Sequence, residues 1–340
     1  VSVPAEEGLP VVCLEPDLLC VRMPIPFPLG SVNVYLVRTR HGALLVDAGL
    51  RTPDCFAALQ EGLEAAGLDL TDLRAVVLTH AHPDHIGLAG VLQDRTGVPV
   101  YLLDVEAQLA RHVWVEDYGF RVRAVTHMLR AHGVPDPWVE EVGRQVAALR
   151  ELVAPFAQAT PLADGQVLDV DGFSARVLWT PGHSDGHMVL LDARGRLFCG
   201  DHVLPEVSPN ISLYAGGRPN PLADYLDSLR KVRDLPVTVA LPGHGDPVVD
   251  WAGRVDQLLE HHRLRLEAAY ALVPRQGTTA FRLAQELFLE GASDGARPQE
   301  VPLPLAVGEA AAHLEWLHQA GRLTREDGPP VVYRPVEGGL

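Results

Sequence analysis

Thr79, His80, Ala81, His82, Pro83, Asp84 and His85 follow directly on an apolar run at residues 75–78. Three imidazoles and a carboxylate thus fall within six residues, where a strand is expected to end and a helix to begin near Ile86. An exposed polar turn would account for two isolated histidines, but not for this spacing, which suits divalent metal ions. His80 and His82 can face one ion while Asp84 and His85 reach a second. Four donors from one loop cannot complete two coordination spheres, so further His or Asp side chains are expected at other strand ends. The chain supplies them as His183 in Thr180-Pro181-Gly182-His183-Ser184, Asp201 in Phe198-Cys199-Gly200-Asp201-His202, and His244 in Leu241-Pro242-Gly243-His244-Gly245. The candidates divide into His80, His82 and His183 around one ion and Asp84, His85 and His244 around the other, with Asp201 bridging. Two such ions bring the pKa of a shared water toward neutrality, so that hydroxide serves as nucleophile, and they polarise a carbonyl or phosphoryl oxygen. No serine or cysteine nucleophile is then required.

The elements that must position these residues read as strands closing in His or Asp turns, interleaved with helices. Strands are expected at 11–22, 31–37, 42–47, 75–78, 98–102, 173–179, 188–191, 196–199 and 237–241, and helices at 53–66 and 222–232. This alternation argues an α/β layered fold with its site at strand ends. Asp47, closing a strand beside the histidine cluster, can orient a ligand imidazole through its second nitrogen. Asn210, on the loop after Asp201, is a candidate hydrogen-bond partner of substrate or part of an Asx turn following proline. Cys199 reads as a packed thiol. Residues 104–158 interrupt the strand rhythm with helical patterns at 105–115 and 138–153, and carry Trp114, Tyr118, Phe120, Met128 and Trp138. Such an insertion packs on the sheet surface, and some of its aromatics are expected to line a substrate pocket.

From residue 251 the character changes. A long helix at 251–272 carries His261 and His262, about 100° apart around the axis and so a poor chelate. A helix at 279–289, a loop rich in Gly and Pro at 291–302, a helix at 304–320 and a hairpin at 323–334 follow, which is the order of a winged helix. Its candidate recognition helix holds Glu309 and Glu315 but no Arg or Lys, and residues 254–340 hold nine arginines against twelve acids. Packing on the catalytic part or dimerisation suits this region better than phosphate binding. We therefore expect a catalytic domain at 1–250, containing the 104–158 insertion, and a helical linker with a winged-helix-like domain at 251–340.

Composition bounds the reading. The net charge of −16 over 340 residues repels nucleic acids and anionic membranes, although bound divalent ions would invert the field locally and admit an anionic substrate. Cys13, Cys20, Cys55 and Cys199 show no CxxC spacing and read as reduced thiols. With no basic leader and no long apolar span, a cytoplasmic protein is expected. Lys231 is the only lysine, an arginine bias that fits a heat-tolerant or GC-biased source.

The motif set resembles the metallo-β-lactamase superfamily over about residues 12–250. The resemblance implies an αββα sandwich of two sheets flanked by helices, with Asp84 binding the second ion and assisting proton transfer and Asp201 bridging, so these two are the candidate catalytic residues. The C-terminal part is similar to the winged-helix extension of the β-lactamase-like protein 2 group, loosely matched at His262, Arg263, Arg265 and Glu267, with Arg265 offset from the group's spacing. That group implies either endoribonucleases acting on single-stranded RNA or glyoxalase-II-like hydrolases. The acidity departs from a nuclease. No basic cluster after His244 beyond Arg254, Arg263 and Arg265 could grip glutathione. The leading expectation is a dinuclear hydrolase of a thioester or carboxylic ester, attacking through a metal-bridging hydroxide, with an apolar acyl group under the insertion. A metal-dependent phosphodiesterase or endoribonuclease acting on single-stranded RNA is the alternative, and a non-hydrolytic binding protein or di-iron redox member the third reading. Two divalent ions per chain are expected, zinc first and manganese or iron otherwise, with a small-molecule substrate, no membrane partner and a homodimer as the candidate assembly.

Overall fold

The computed structural model describes residues 10–289 and 302–336. Seven strands form the first sheet in sequential order: β1 (Val11–Glu15), β2 (Leu18–Pro24), β3 (Ser31–Arg38), β4 (Ala43–Val46), β5 (Leu73–Val77), β6 (Val100–Leu103) and β7 (Ala159–Leu162). The first four pair antiparallel and the pairs from β4 to β7 are parallel. A second, five-stranded sheet runs in the order β12 (Val239–Pro242), β11 (Arg196–Gly200), β10 (Met188–Asp192), β9 (Phe173–Trp179) and β8 (Val167–Val170).

Alternation of side chains explains why the two sheets face each other. On β3, Tyr35 and Val37 join Phe173, Ala175, Val177, Met188, Leu190 and Phe198 in a core between the sheets. Val32, Val34 and Leu36 point the other way, into a cluster with Leu59 and Leu63 of α1 (Pro53–Ala65). On β10, Met188 and Leu190 enter the inter-sheet core, whereas Val189 and Leu191 meet α7 (Pro221–Arg233) and α8 (Trp251–Ala271). Strands buried on both faces need no polar alternation, which is why β4 reads as an unbroken apolar run and β11 as one after Arg196. The layers are helix, sheet, sheet, helix, as the family resemblance implies. Helix α1 starts at Pro53 behind Thr52, whose hydroxyl accepts the Cys55 N–H at 3.2 Å. It can sit close on the sheet because Gly62 has no side chain: a Cβ there would lie 2.4 Å from Val21.

Two short helices, α2 (Pro83–Ile86) and α3 (Ala89–Thr96), follow the histidine loop. The insertion differs from its expected two helices. It holds α4 (Asp104–Ala110) running into a wider turn at Arg111–Glu116, then α5 (Tyr118–Ala131) and α6 (Asp136–Ala148). Its aromatics divide: Trp114 and Tyr118 pack into the first sheet's outer cluster, Met128 into the second sheet's, and Trp138 packs edge-on to Phe281 at 5.6 Å while remaining 48% exposed. The expected strand at 11–22 is two strands, and β7 and β8 had no counterpart among the expected elements.

At the C-terminal side, α8, α9 (Ala280–Ala284), α10 (Leu303–Gln319) and the hairpin of β13 (Leu323–Glu326) with β14 (Val332–Pro335) follow in the helix, helix, hairpin order. The expected loop at 291–302 lies, apart from Pro302, outside the described residues. Helix α10 buries Ala306, Val307, Ala310, Ala311, Leu314 and Leu317 in the same cluster that receives Val189, Leu191 and Leu197 of the second sheet. This region and the catalytic sheet therefore share one apolar core. Among the described residues no helix is long and apolar enough to cross a membrane.

Candidate metal centre

The seven candidate ligands converge at the ends of β5, β9, β11 and β12. Asp47, just after β4, adopts φ 62°, a left-handed conformation that a short polar side chain tolerates. From there Oδ1 accepts the Thr79 N–H at 2.8 Å and Oδ2 meets His85 Nδ1 at 2.9 Å. Pro83 then opens α2, whose single turn carries Asp84 and His85 inward.

Three nitrogens meet on one side. His82 Nδ1 lies 3.0 Å from His80 Nε2 and 2.9 Å from His183 Nε2. On the other side, His244 Nε2 is 3.5 Å from Asp84 Oδ2, and His85 Nε2 is 4.0 Å from that same oxygen. Asp201 stands between, with Oδ2 3.5 Å from both His183 and His244 and Oδ1 3.5 Å from His85. The groupings His80–His82–His183, His80–His85–Asp201 and Asp84–His85–His244 each bring their donor atoms within 4.8 Å of one another.

The far nitrogens are held from outside, which aims the near ones. His183 Nδ1 donates to Asn210 O at 2.9 Å, His244 Nδ1 to Ser31 O at 2.7 Å, and Thr79 Oγ1 lies 3.0 Å from His80 Nδ1. His85 Nε2 and Asp201 Oδ1, by contrast, are buried with no hydrogen-bond partner among the described residues. Buried polar atoms are otherwise almost always paired, so orphaned donors facing a ring of N and O ligands fit a divalent cation. Backbone approach is equally close. Gly200 adopts φ 48°, and a Cβ on Gly243 would fall 2.3 Å from Asp201 Oδ1 and 2.7 Å from His85 Cε1.

Electrostatics separate the two sides. Burial, reinforced by neighbouring imidazoles, holds His80 and His82 well below the usual histidine range, so both are neutral and ready to ligate. Burial also opposes charge on His85 and His244. The carboxylates Asp201, Asp47 and Asp84 overcome it at His85, and Asp201 with Asp84 lifts His244 to about 10. Burial pushes the Asp201 carboxyl up, but His244 and His85 outweigh it and hold it well below its ordinary value.

One residue of this site was not singled out in the sequence. Glu106, on α4, is 1% exposed and reaches both ligand loops: Oε1 accepts the Ala81 N–H at 2.7 Å and Oε2 the Gly186 N–H at 2.8 Å. Burial pushes its carboxyl up to about 7 against the pull of those two N–H groups. Trp114 Nε1 donates to Ala81 O at 3.1 Å, so the peptide groups flanking the Ala81 Cα are held on both sides by the insertion. The only signal in the sequence was an acid in the first turn of an insertion helix. Asn210 faces the centre through its carbonyl alone. Its amide turns away, donating to Glu309 Oε2 at 2.8 Å, and accepts from Ser212. His262 lies outside the cluster with Nε2 3.0 Å from Ser208 Oγ, and Cys199 is a buried free thiol.

Comparison with known proteins agrees with this geometry. The family model described as "Metallo-beta-lactamase superfamily" matches residues 27–244. The Bacillus subtilis (strain 168) protein described as "probable metallo-hydrolase YqjP" is 32% identical over 330 residues, covering 94% of this chain and 98% of its own. The Caenorhabditis elegans "beta-lactamase-like protein 2 homolog" is 28% identical over 251 residues, covering 71% of this chain and 65% of its own. The crystal structure of a metallo-beta-lactamase family protein from Thermus thermophilus superposes with TM-score 0.83 at 37% identity, covering 95% of this chain and all of that one. With the histidine and aspartate cluster lying inside the matched segment, the chain belongs to the metallo-β-lactamase superfamily and is a metal-dependent hydrolase.

Proposed function

We propose that the chain hydrolyses a thioester or carboxylic ester of a small molecule at a two-ion centre, with His80, His82 and His183 holding one ion, Asp84, His85 and His244 the other, and Asp201 shared. The observation that carries this reading is the position of Asp201, whose oxygens lie 3.5 Å from His183 on one side and from His85 and His244 on the other. The nitrogen-rich donor set favours zinc, with manganese or iron as alternatives. Divalent ions bound there would make a shared water acidic enough to ionise near neutrality and would polarise the scissile carbonyl.

The chain's own residues supply the rest. The Asp84 side chain is 14% exposed against 9% for Asp201 and 3% for Asp47, so Asp84 is the carboxylate able to meet solvent and substrate. It takes the proton released by the attacking water and returns it to the departing thiolate or alkoxide. Asp47, Asn210 O and Ser31 O keep His85, His183 and His244 aimed at the centre. Trp114 and Tyr118, with ring centroids 5.4 Å apart, are buried against the first sheet rather than open to a pocket, and Trp114 braces the histidine loop through Ala81 O.

Elemental analysis of purified protein tests the centre: two divalent ions per chain are expected, and Asp201→Ala should lose one of them with most of the turnover. Protein without metal, whose activity ignores chelator, would overturn the reading. A panel of acyl thioesters, simple esters, bis-nitrophenyl phosphate and single-stranded RNA tests the substrate class, and a preference for the phosphodiesters would replace it.

A further inference from the structure

The insertion carries a cation that the centre described above does not use. Arg111, Arg123, Arg130 and Arg144 each pair with a carboxylate of the insertion itself. Arg121, on α5, makes no ion pair or hydrogen bond among the described residues, and its Nε is buried without a partner. Its guanidinium lies 5.2 Å from the centre of the Trp114 ring, and the same indole donates to Ala81 O, between His80 and His82. Arg150 is also without a carboxylate among the described residues and lies over Tyr118 at 5.6 Å, but it is exposed, so water serves it.

Beside a centre built for cations, a guanidinium whose Nε is shut away from water without a partner is disfavoured by both desolvation and like charge. The cost is removed when an anion enters. Arginine presents a planar fork of donors matched to a carboxylate or phosphate, and the Trp114 face fixes the plane of that fork. We propose that Arg121 is a specificity residue that binds an anionic group, carboxylate or phosphate, of a substrate whose scissile carbonyl lies at the histidine and aspartate cluster. The inference rests on the ester or thioester reading and narrows it. The hydrolysed molecule carries a negative charge set apart from the bond that breaks, either in its acyl part or in its leaving group.

Two substrate pairs separate the sources of charge. One is S-glutaryl-N-acetylcysteamine against its methyl ester, and the other is the acetyl thioester of 4′-phosphopantetheine against that of pantetheine. Wild-type protein is expected to prefer the charged member of one pair. Arg121→Met should raise KM for that member about tenfold or more with kcat little changed, and leave the neutral member unaffected, since a charged hydrogen bond is lost. Arg121→Lys, which keeps the charge but not the fork, should fall between. The pair that responds identifies carboxylate or phosphate. No preference for charge in either pair, or an equal loss on charged and neutral members, overturns the proposal. If no thioester or ester is turned over, the hydrolase reading fails by itself. Calorimetric titration of zinc-loaded protein with glutarate and with inorganic phosphate then still decides on Arg121. About tenfold weaker binding in Arg121→Met supports it, and unchanged binding of both anions overturns it.

Discussion

Glu106→Gln separates the two forces acting on the side chain that ties the insertion to both ligand loops. Its two oxygens accept one backbone N–H each, from Ala81 at 2.7 Å and Gly186 at 2.8 Å. Glutamine keeps the volume, but whichever way its amide is turned, its NH₂ faces one of these donors. One buried N–H loses its acceptor, at a cost of about 1–3 kcal/mol. Ionisation works in the other direction. In metal-free protein, burial raises the Glu106 carboxyl from 4.5 to about 7. A carboxyl whose folded pKa lies above its unfolded value contributes stability that is complete below the unfolded pKa and is lost as pH rises through the folded one. That loss reaches about 3 kcal/mol at most on the alkaline side. Glutamine does not titrate. The variant should therefore be less stable than wild type by about 1–3 kcal/mol near pH 5, with the gap shrinking toward zero near pH 8. Urea unfolding of chelator-treated wild type and variant at both pH values measures this, provided the slopes agree. A gap that ignores pH, or widens toward pH 8, refutes the reasoning. In the zinc-loaded protein the displaced loop should weaken metal affinity about 10–100-fold, as loss of an outer partner usually does. Unchanged affinity by competition titration would remove Glu106 from any positioning role.

Three further substitutions test neighbouring parts of the argument. Gly243→Ala places a methyl 2.3 Å from Asp201 Oδ1 and 2.7 Å from His85 Cε1, so metal content should fall and turnover drop about 100-fold with the circular dichroism spectrum unchanged. A fully loaded, active variant would show that the loop yields. Asp47→Asn keeps a residue tolerant of φ 62° but removes the carboxylate from His85 Nδ1, and zinc competition should reveal about 10–100-fold weaker binding of one ion only. Arg196→Met strips the partner from Asp192, whose Oδ2 lies 2.6 Å from Arg196 Nε with both side chains 4% exposed. Denaturant unfolding should register a loss of about 3–5 kcal/mol while metal content stays intact.

The histidine loop was readable in the sequence because four of its donors fall in one local stretch, and the central strands because burial on both faces makes them largely apolar. The missed strands fail for a shared reason. β7 and β8 are four-residue edge strands, and β7 contains Pro161, which an edge tolerates because one side of it needs no N–H. Helix α5 has no counterpart among the expected elements, since β-branched Val122, Val125 and Thr126 lower its helix propensity. The strand-end carboxylates, Asp47 and Asp201, stand where a strand feeds the site, so their position hints at their neighbours. Glu106 gives no such hint, since its partners are backbone N–H groups 25 and 80 residues away, and backbone donors leave no mark on residue type.

This difference has a consequence for how the centre and its substrate preference are connected. The ligand loops are held from three directions: by Asp47 behind β4, by Glu106 and Trp114 from the insertion, and by Asn210, whose amide is anchored to Glu309 on α10 while its carbonyl receives His183. The first belongs to the strands that carry the metal motif. The second comes from the insertion, and the third, on the loop after Asp201, is braced by α10 of the C-terminal region. Arg121 and Glu106 thus lie on one insertion, one over the Trp114 ring and the other holding the ligand loops. Exchanging the insertion as a block would alter substrate choice and metal affinity together, whereas changing Arg121 alone, with Glu106 and Trp114 kept, should alter the first and spare the second.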